Sequence, residues 1–465
     1  MESPPPFKLG QGQDRISALP DDLLLGILER LDLREAVRAG AVSTRWWHLP
    51  HQLPRLHLNV GDFQGATLLE ISDAFVGATR RLLSERKCDC KTRRAVKTLG
   101  LTFYLSNSHL SSIGHAVEDT VSRGQTERFE FELIRPSPDL IQAVSRTESG
   151  KHFMSFSRDC PVAFRWLTGL SLTSLKFRDY DFPSLIGACD KLKSLSLRSC
   201  GLVPRSAALK IDAPNSAITE LEFIRCKFSQ IDLVSVPKLT QLRCHRWRSK
   251  NPPLRFGYVP ELQKVRIACR ARTWQPPFAL SACFSMNTRN LSKLHLNFGC
   301  QMIWIRPEQH PKQLTAIFSN LTDMTFWNIF PECDLSWTLF ILEAAPALQK
   351  LILNRTRHSC GGTSKDSAQK TNVVWEPSKD LKHLELKLLV MIGFEEEDKV
   401  TNYIRIVMER AVGLKRITLG SHTCKECNAI NLESPTTSQT DDACKHRIKE
   451  QLTRGSSSTV DIIIC

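Results

Sequence analysis

The chain has 465 residues, 42% of them apolar and 24% charged, with a formal net charge of +15. Those fractions are ordinary for a globular protein with a large core, and they exclude a disordered or fibrous chain. No run approaches the ~18–20 apolar residues of a membrane span. No charged-then-apolar leader opens the chain, and Ile462 stands where a prenylation signal needs Cys. The positive charge could serve an acidic partner or nucleic acid. It is spread along the chain without a dominant arm, which favours a solvated basic surface. Sixteen cysteines are scattered through the chain; without a secretory signal they are expected to stay reduced, mostly as small buried hydrophobes.

The first element in chain order is a helix opened by Pro20, whose missing N–H costs nothing at the start of a helix. Asp21 and Asp22 follow, where negative charge meets the positive end of the helix dipole. Leu23, Leu24, Ile27, Leu28 and Leu31 then recur at helical spacing and make the helix apolar over more of its circumference than one small core uses. Asp32 with Glu35 three residues on is a variant capping box. It starts a second helix through Ala36, Val37, Ala39 and Ala41, interrupted by Gly40, and Val42-Ser43-Thr44-Arg45-Trp46-Trp47 opens a third. So few residues bury little unless a partner covers them.

The opening Leu19-Pro20-Asp21-Asp22-Leu23-Leu24 and the closing Val42-Ser43-x-Arg45-Trp46 resemble the F-box, the helical module that docks on the Skp1 adaptor of a ubiquitin ligase. The resemblance implies that Leu19, Pro20, Leu23, Leu24, Ile27, Leu28, Leu31, Val42, Ser43 and Trp46 lie at or beneath a Skp1-facing surface. It also implies that the rest of the chain holds something else.

From residue 170 a pattern Leu-x-x-Leu-x-Leu returns. Its units begin at Leu172, Leu192, Ile218, Leu239, Leu262, Leu291, Leu321, Leu348, Leu381 and Leu414. Three apolar positions recur readily by chance; the polar ones carry the argument, because all twenty residues between the first and second apolar sites of the ten units are polar. Alternation at period two is a strand with one buried face. The mean step of about 27 residues lies in the ~20–29 window of leucine-rich repeats, whose units stack into a curved solenoid. Steps vary from 20 to 33 residues, so the stack is expected to be irregular. The Asn or Cys that the family places beyond the last Leu survives only as Cys200 and Cys226, each after two intervening residues. Val96-Leu99-Leu101 and Phe129-Phe131-Leu133 read as earlier, degenerate units.

Near the C-terminus, Val400, Tyr403, Ile404, Val407, Met408 and Ala411 share one helical face, and Gly413 stops that helix before the strand Leu414–Leu419. This block resembles the FBD region of plant F-box proteins with leucine-rich repeats. The fold read from the sequence is α/β: a three-helix F-box, then an irregular leucine-rich-repeat solenoid, a curved parallel sheet with helices or loops on its convex side. Its expected divisions are a disordered 1–12, an F-box at 13–54, a connector at 55–94, repeats at 95–378, FBD-like final repeats at 379–420 and an extension at 421–465.

Local chemistry offers no nucleophile, base and orienting acid, so no catalytic residue and no cofactor are assigned. Cys424, Cys427, Cys444 and His446 form a weak zinc candidate, because a C-x-H close is unusual for a structural site. Cys88 and Cys90 in a basic loop are weaker. Arg243, His245, Arg246, Trp247, Arg248 and Lys250 form a basic cluster with an aromatic that could meet phosphate, or be one strand and the loop that leaves it. The loop from Arg355 to Lys370 reads as a disordered insertion. On the repeat strands the residues flanking the central Leu face outward. One row is expected to hold Lys176, Glu222, Arg243, Arg266, His295 and Glu385, the other Lys264, Lys293, Lys350, Arg416, Glu220 and Asp323. Their weak positive bias favours an acidic or phosphorylated protein.

Together these readings describe a non-catalytic substrate-recognition subunit of a Skp1–cullin–F-box ubiquitin ligase. It would dock on a Skp1-like adaptor, and through it on cullin, and present a protein for ubiquitination and proteasomal degradation in the cytoplasm and/or nucleus. Membrane is not expected as a partner, and nucleic acid is the less favoured one. The alternative is a non-degradative repeat scaffold, or a nucleic-acid-associated protein with a vestigial F-box.

Overall fold

A computed structural model of the chain describes residues 16, 18–84, 95–105, 109–137, 146–204, 207–247, 252–269, 276–300, 303–306, 308, 311–356, 375, 381–420, 442–454 and 460–465. They fall into two compact units, 1–171 with 188–190, and 172–187 with 191–465.

The first unit opens with helices α1 (Asp21–Leu28) and α2 (Leu33–Val42). Asp32 caps α2 by accepting from the Glu35 N–H at 2.8 Å. The third helical segment differs from expectation. Val42 ends α2 instead of opening a helix, Thr44–His48 is a turn, and Leu49–Gln52 is a 3-10 helix. Pro50 has no N–H to continue an α ladder, and Leu49 instead donates to Trp46 at 3.0 Å. Gly40 does not interrupt α2. It is buried where a Cβ would come within 2.9 Å of the Pro50 ring, so its absent side chain lets the helix meet that turn.

Strand β1 (Arg55–Asn59), helix α3 (Leu68–Ser84), β2 (Thr98–Tyr104), α4 (Leu110–Ser122), β3 (Arg128–Ile134), α5 (Arg146–Asp159), α6 (Pro161–Trp166) and β4 (Gly169–Thr173) follow. Here β1, β2 and β3 pair in parallel, with Leu56 beside Leu99 and Leu99 beside Phe129. Parallel neighbours need crossover connections, which α3 and α4 supply. The core beneath is a run of aromatic edges, with Phe103–Phe131 ring centroids at 5.2 Å and Phe156–Phe164 at 5.0 Å. The degenerate units expected at Val96 and Phe129 are thus β2 and β3, and β1 adds a strand inside the span read as a connector.

The second unit contains β5 (Lys176–Phe177), α7 (Asp181–Gly187), β6 (Ser194–Arg198), β7 (Gly201–Leu202), β8 (Leu209–Asp212), β9 (Glu220–Ile224), β10 (Ile231–Ser235), β11 (Gln241–His245), β12 (Leu254–Tyr258) and β13 (Lys264–Ala268). It continues with β14 (Lys293–Asn297), α8 (Pro311–Ile317), β15 (Asp323–Ile329), α9 (Phe340–Ala344), β16 (Lys350–Arg355), β17 (Leu388–Ile392), α10 (Asp398–Arg410), β18 (Arg416–Gly420), α11 (Asp442–Thr453) and β19 (Asp461–Ile464).

Its main sheet runs β6-β9-β11-β13-β14-β15-β16-β17-β18-β19, all parallel and in chain order. The order follows from repetition: each unit buries its apolar row only by lying on the previous one. The central residues Leu195, Leu221, Leu242, Val265, Leu294, Met324, Leu351, Leu389, Ile417 and Ile462 stand side by side and are buried. Between β6 and β13 the chain returns through strands, β8-β10-β12 forming a second parallel sheet.

Two of the expected repeats are displaced. The unit expected at Leu172-Leu175-Phe177 has its long strand five residues earlier, on Leu167-Leu170-Leu172, where β4 lies. The unit expected at Leu381-Leu384-Leu386 has its strand later, on Leu386-Leu389-Met391, and Leu384 is 68% exposed. Leu388 occupies one of the two sites that are polar elsewhere, so a rule requiring polar residues there passes over the true strand.

Polar ladders close the edge of the stack. The Cys200 thiol donates to the Leu172 carbonyl at 3.4 Å and the Cys226 thiol to that of Leu197 at 3.1 Å. Further on, asparagines take over. Asn328 Nδ2 donates to Asn297 Oδ1 at 3.2 Å, and the Asn328 N–H to Asn354 Oδ1 at 3.0 Å.

Candidate docking and partner-binding surfaces

On α1 the apolar residues split into two stripes. Leu24, Leu25 and Leu28 are buried, and α1 packs against the 3-10 turn Leu49–Gln52. Leu23, Ile27 and Leu31, each four residues apart, face solvent at 56%, 41% and 38% exposure, and Val42 is 87% exposed. Pro20 is exposed; Leu19, Ser43 and Trp46 are half-buried. Arg45 fastens the hook by donating to the Leu19 carbonyl at 2.6 Å and to Asp21 Oδ1 at 3.3 Å. Of the ten residues assigned to the docking surface, Leu24 and Leu28 therefore lie beneath it. The sequence reading missed Ile16 and Trp47, both exposed apolar residues of the same segment. A row of exposed apolar residues along one side of a helix is a candidate protein-interaction surface. In the same unit a cavity of about 530 Å³, lined by Arg34, Arg38, Trp47, His57 and Arg81 among others, opens against α2, β1 and α3.

The open face of the second unit carries the two rows of strand residues expected to meet a partner. Glu222, Arg243, Arg266 and His295 stand in register, as expected. Lys176 and Glu385 do not join them. Lys176 lies on the short β5, paired with Gly201, and Glu385 lies in a bend before β17, where Val390 takes the row position. Both misplacements come from the two displaced repeats. The second row is complete: Glu220, Lys264, Lys293, Asp323, Lys350 and Arg416 hold equivalent register positions.

Glu222 is the hub of the acidic edge, accepting from Ser196 Oγ at 2.8 Å, with Arg198 at 3.6 Å and Arg243 at 3.8 Å. Burial lowers the His295 imidazole to about 4, helped by Arg266 and His245, so it is neutral at pH 7. Burial also lowers His245. The His295 ring lies 6.1 Å from that of Trp327.

The basic cluster after β11 is divided. Arg243 and His245 are on the strand, Arg246 turns the chain at φ +55, and Trp247 is buried with its ring 5.0 Å from Trp304. Arg248 and Lys250 lie outside the described residues, as do Cys88, Cys90, Cys424, Cys427 and most of the loop after Arg355. Of the zinc candidate, Cys444 and His446 sit in the first turns of α11, half-buried and exposed. Among the described residues, one other group has metal-ligand composition: His115, Glu118 and Cys160, with ligand atoms within 4.8 Å of one another. His115 already hydrogen-bonds Glu118 at 3.2 Å, and burial pushes the Cys160 thiol up to about 11, which leaves it protonated. Burial likewise pushes Cys189 and Cys244 up to about 12, so these cysteines act as packing groups. No helix among the described residues is long and apolar enough to cross a membrane.

Comparison with known proteins agrees with this geometry. The family described as "At1g61320/AtMIF1, LRR domain" matches residues 154–463, and the F-box-like family matches residues 16–50. The F-box/LRR-repeat protein At3g03360 of Arabidopsis thaliana is 23% identical over 263 residues, 56% of this chain and 53% of its own length. The F-box/FBD/LRR-repeat protein At5g22660 of the same plant is 33% identical over 112 residues, 24% of this chain and 22% of its own length. The chain thus spans about half, or less, of those two relatives. The FBD-associated F-box protein At5g56370, also from Arabidopsis thaliana, is 23% identical over 459 residues, 95% of this chain and 97% of its own. An F-box-like hook followed by stacked parallel strands, matched by both family descriptions, places the chain in the At1g61320/AtMIF1 leucine-rich-repeat family, with the organisation of plant F-box/LRR proteins.

Proposed function

We propose that the chain is the substrate-recognition subunit of a Skp1–cullin–F-box ubiquitin ligase, working in the cytoplasm and/or nucleus. The observation that carries the reading is the solvent-facing stripe Leu23, Ile27 and Leu31 on a helix whose opposite stripe is already buried. Full burial of such side chains is worth about 1.5–3 kcal/mol each, so the hook gains from an apolar partner what its own unit does not supply. The docked protein would carry a substrate on the repeat sheet, and the ligation chemistry would belong to other subunits. Its contribution is effective concentration: a substrate held near the ubiquitin carrier reacts as if intramolecularly.

The test is co-purification of the full chain with a Skp1 adaptor. Leu23→Asp with Ile27→Asp should abolish capture and leave the melting temperature unchanged, because both side chains are exposed. Leu28→Ala, in the buried stripe, should instead destabilise the first unit by about 2–5 kcal/mol. Undiminished capture by the double aspartate variant sinks the proposal.

A further inference from the structure

Three neighbouring strands of the open sheet face carry a charge arrangement that the fold does not need. Arg243 on β11 stands in register with Arg266 on β13, and Lys264 on β13 with Lys293 on β14. Like charges directly opposite each other across strands are destabilising. Strands lie about 4.8 Å apart and alternate residues on one face about 6.6 Å apart, so these cations, on three strands, bound a patch roughly 10 by 7 Å.

The patch has acidic edges. Glu222 shares Arg243 from the β9 side at 3.8 Å, and Asp323 shares Lys293 from the β15 side at 4.0 Å. Among the described residues Lys264 and Arg266 pair with no carboxylate. Glu222 is itself shared with Arg198 at 3.6 Å, so at least two positive charges are left over inside a width of three strands. A phosphomonoester carries about −1.5 to −2 charges and three strong acceptor oxygens. A nucleic-acid strand extends further, and beyond β11 and β14 it would meet the carboxylates of Glu222 and Asp323. His295, half-buried beside Trp327, offers an uncharged donor and an aromatic wall for the residues flanking a phosphate.

We propose that this patch on β11, β13 and β14 binds a phosphoserine or phosphothreonine segment of the partner protein, its phosphate held by Lys264 and Arg266 with Arg243 and Lys293 at the sides. The inference rests on the receptor reading and specifies its substrate: a segment recognised after phosphorylation. Binding relieves the in-register repulsion, so the empty patch carries a stability cost that the ligand removes.

The test exposes the full-length chain to an array of random nonapeptides with a central phosphoserine, serine or glutamate, with a ten-residue oligouridine probe alongside. Phosphoserine spots should retain at least about tenfold more protein than serine spots. Lys264→Glu with Arg266→Glu should erase that difference while leaving the melting temperature unchanged or higher, since it removes like-charge neighbours. Equal retention on serine and phosphoserine overturns the inference. So does stronger retention on oligouridine, or a preference that survives in the double variant. Failure of the receptor reading looks different: the helical hook then captures no Skp1 adaptor, whatever the array shows.

Discussion

The guanidinium of Arg355, 1% exposed at the end of β16, lies 3.3 Å from the carboxylate of Glu397, the N-cap residue of α10. Arg355 also donates to the Pro331 carbonyl, to which the Lys399 ammonium donates at 3.2 Å. A strand end, a loop and a helix start are thus joined by one buried cation. Removing one partner of such a pair leaves the other charge uncompensated, which costs about 3–5 kcal/mol, whereas replacing both is often near neutral. Glu397 keeps some solvent contact, so Glu397→Ala should cost about 3 kcal/mol in urea denaturation. Arg355→Met combined with Glu397→Gln should cost clearly less. A double variant as unstable as the single would show that the pair is not the source of the loss.

His295, in register with Arg266, gives a pH signature. Burial, reinforced by Arg266 and His245, lowers His295 to about 4, against an ordinary value of 6.5. The unfolded chain therefore takes up a proton near pH 6.5 that the folded chain refuses until about pH 4. Linkage fixes the sign: this contribution to stability is complete above 6.5 and is lost as pH falls through that window. Melting temperatures from pH 7 to pH 4.5 should decline less steeply for His295→Gln than for the natural chain. Parallel profiles would count against a neutral His295 in the fold.

Much of this fold is legible in the chain, and the errors have physical causes. Eight of the ten Leu-x-x-Leu-x-Leu units fall on observed strands because their polar pairs mark solvent-facing sites. The other two slid by five residues, because Leu388 is apolar where the rule demanded a polar residue, and Thr173-Ser174 satisfied it beside the true strand at Gly169–Thr173. Lys176 and Glu385 were misplaced as a direct result. The unburied apolar stripe was legible as excess apolar circumference on α1. Which stripe faces outward was not, because only the packing of α1 on Leu49–Gln52 decides it. The cation patch needed register as well as composition: a row of repeats names the residues, and pairing across strands sets like charges together.

The asparagine ladder was invisible at a fixed offset from the last Leu, since Asn297 and Asn354 follow it directly and Asn328 does so after one more residue. It nevertheless bears weight. Asn354 is fully buried, and its Oδ1 accepts from the Asn328 N–H at 3.0 Å and from Thr356 Oγ1 at 2.9 Å. Asn328 sits at φ +53, a left-handed turn that this acceptor holds in place. Asn354→Ala should cost about 1–3 kcal/mol, the price of a buried donor left without an acceptor. Asn354→Asp keeps the acceptor but buries a charge, so it should be destabilised at pH 7 and recover as the solution is acidified toward pH ~4. An alanine variant within about 0.5 kcal/mol of the natural chain in chemical denaturation would remove the ladder from the account.

Gly393, just after β17, separates two sources of backbone cost. Its φ is +75, and its N–H donates to the Gly420 carbonyl at 2.8 Å. A Cβ placed there would lie 1.9 Å from the carbonyl oxygen of Arg355, the residue that anchors α10 through Glu397. A non-glycine residue in the left-handed region costs about 1–2 kcal/mol from its own backbone, and asparagine tolerates that region better than alanine. The clash with Arg355 is the same for both. If backbone strain dominated, Gly393→Asn would be much milder than Gly393→Ala. The 1.9 Å approach says otherwise: both should lose more than about 3 kcal/mol, with at most about 1 kcal/mol between them. Because the displaced atom belongs to Arg355, both should also lose the added cost of Glu397→Ala when combined with it, as coupled neighbours do. Additive losses in that double-mutant cycle, measured by urea denaturation, would place Gly393 outside the Arg355 anchor.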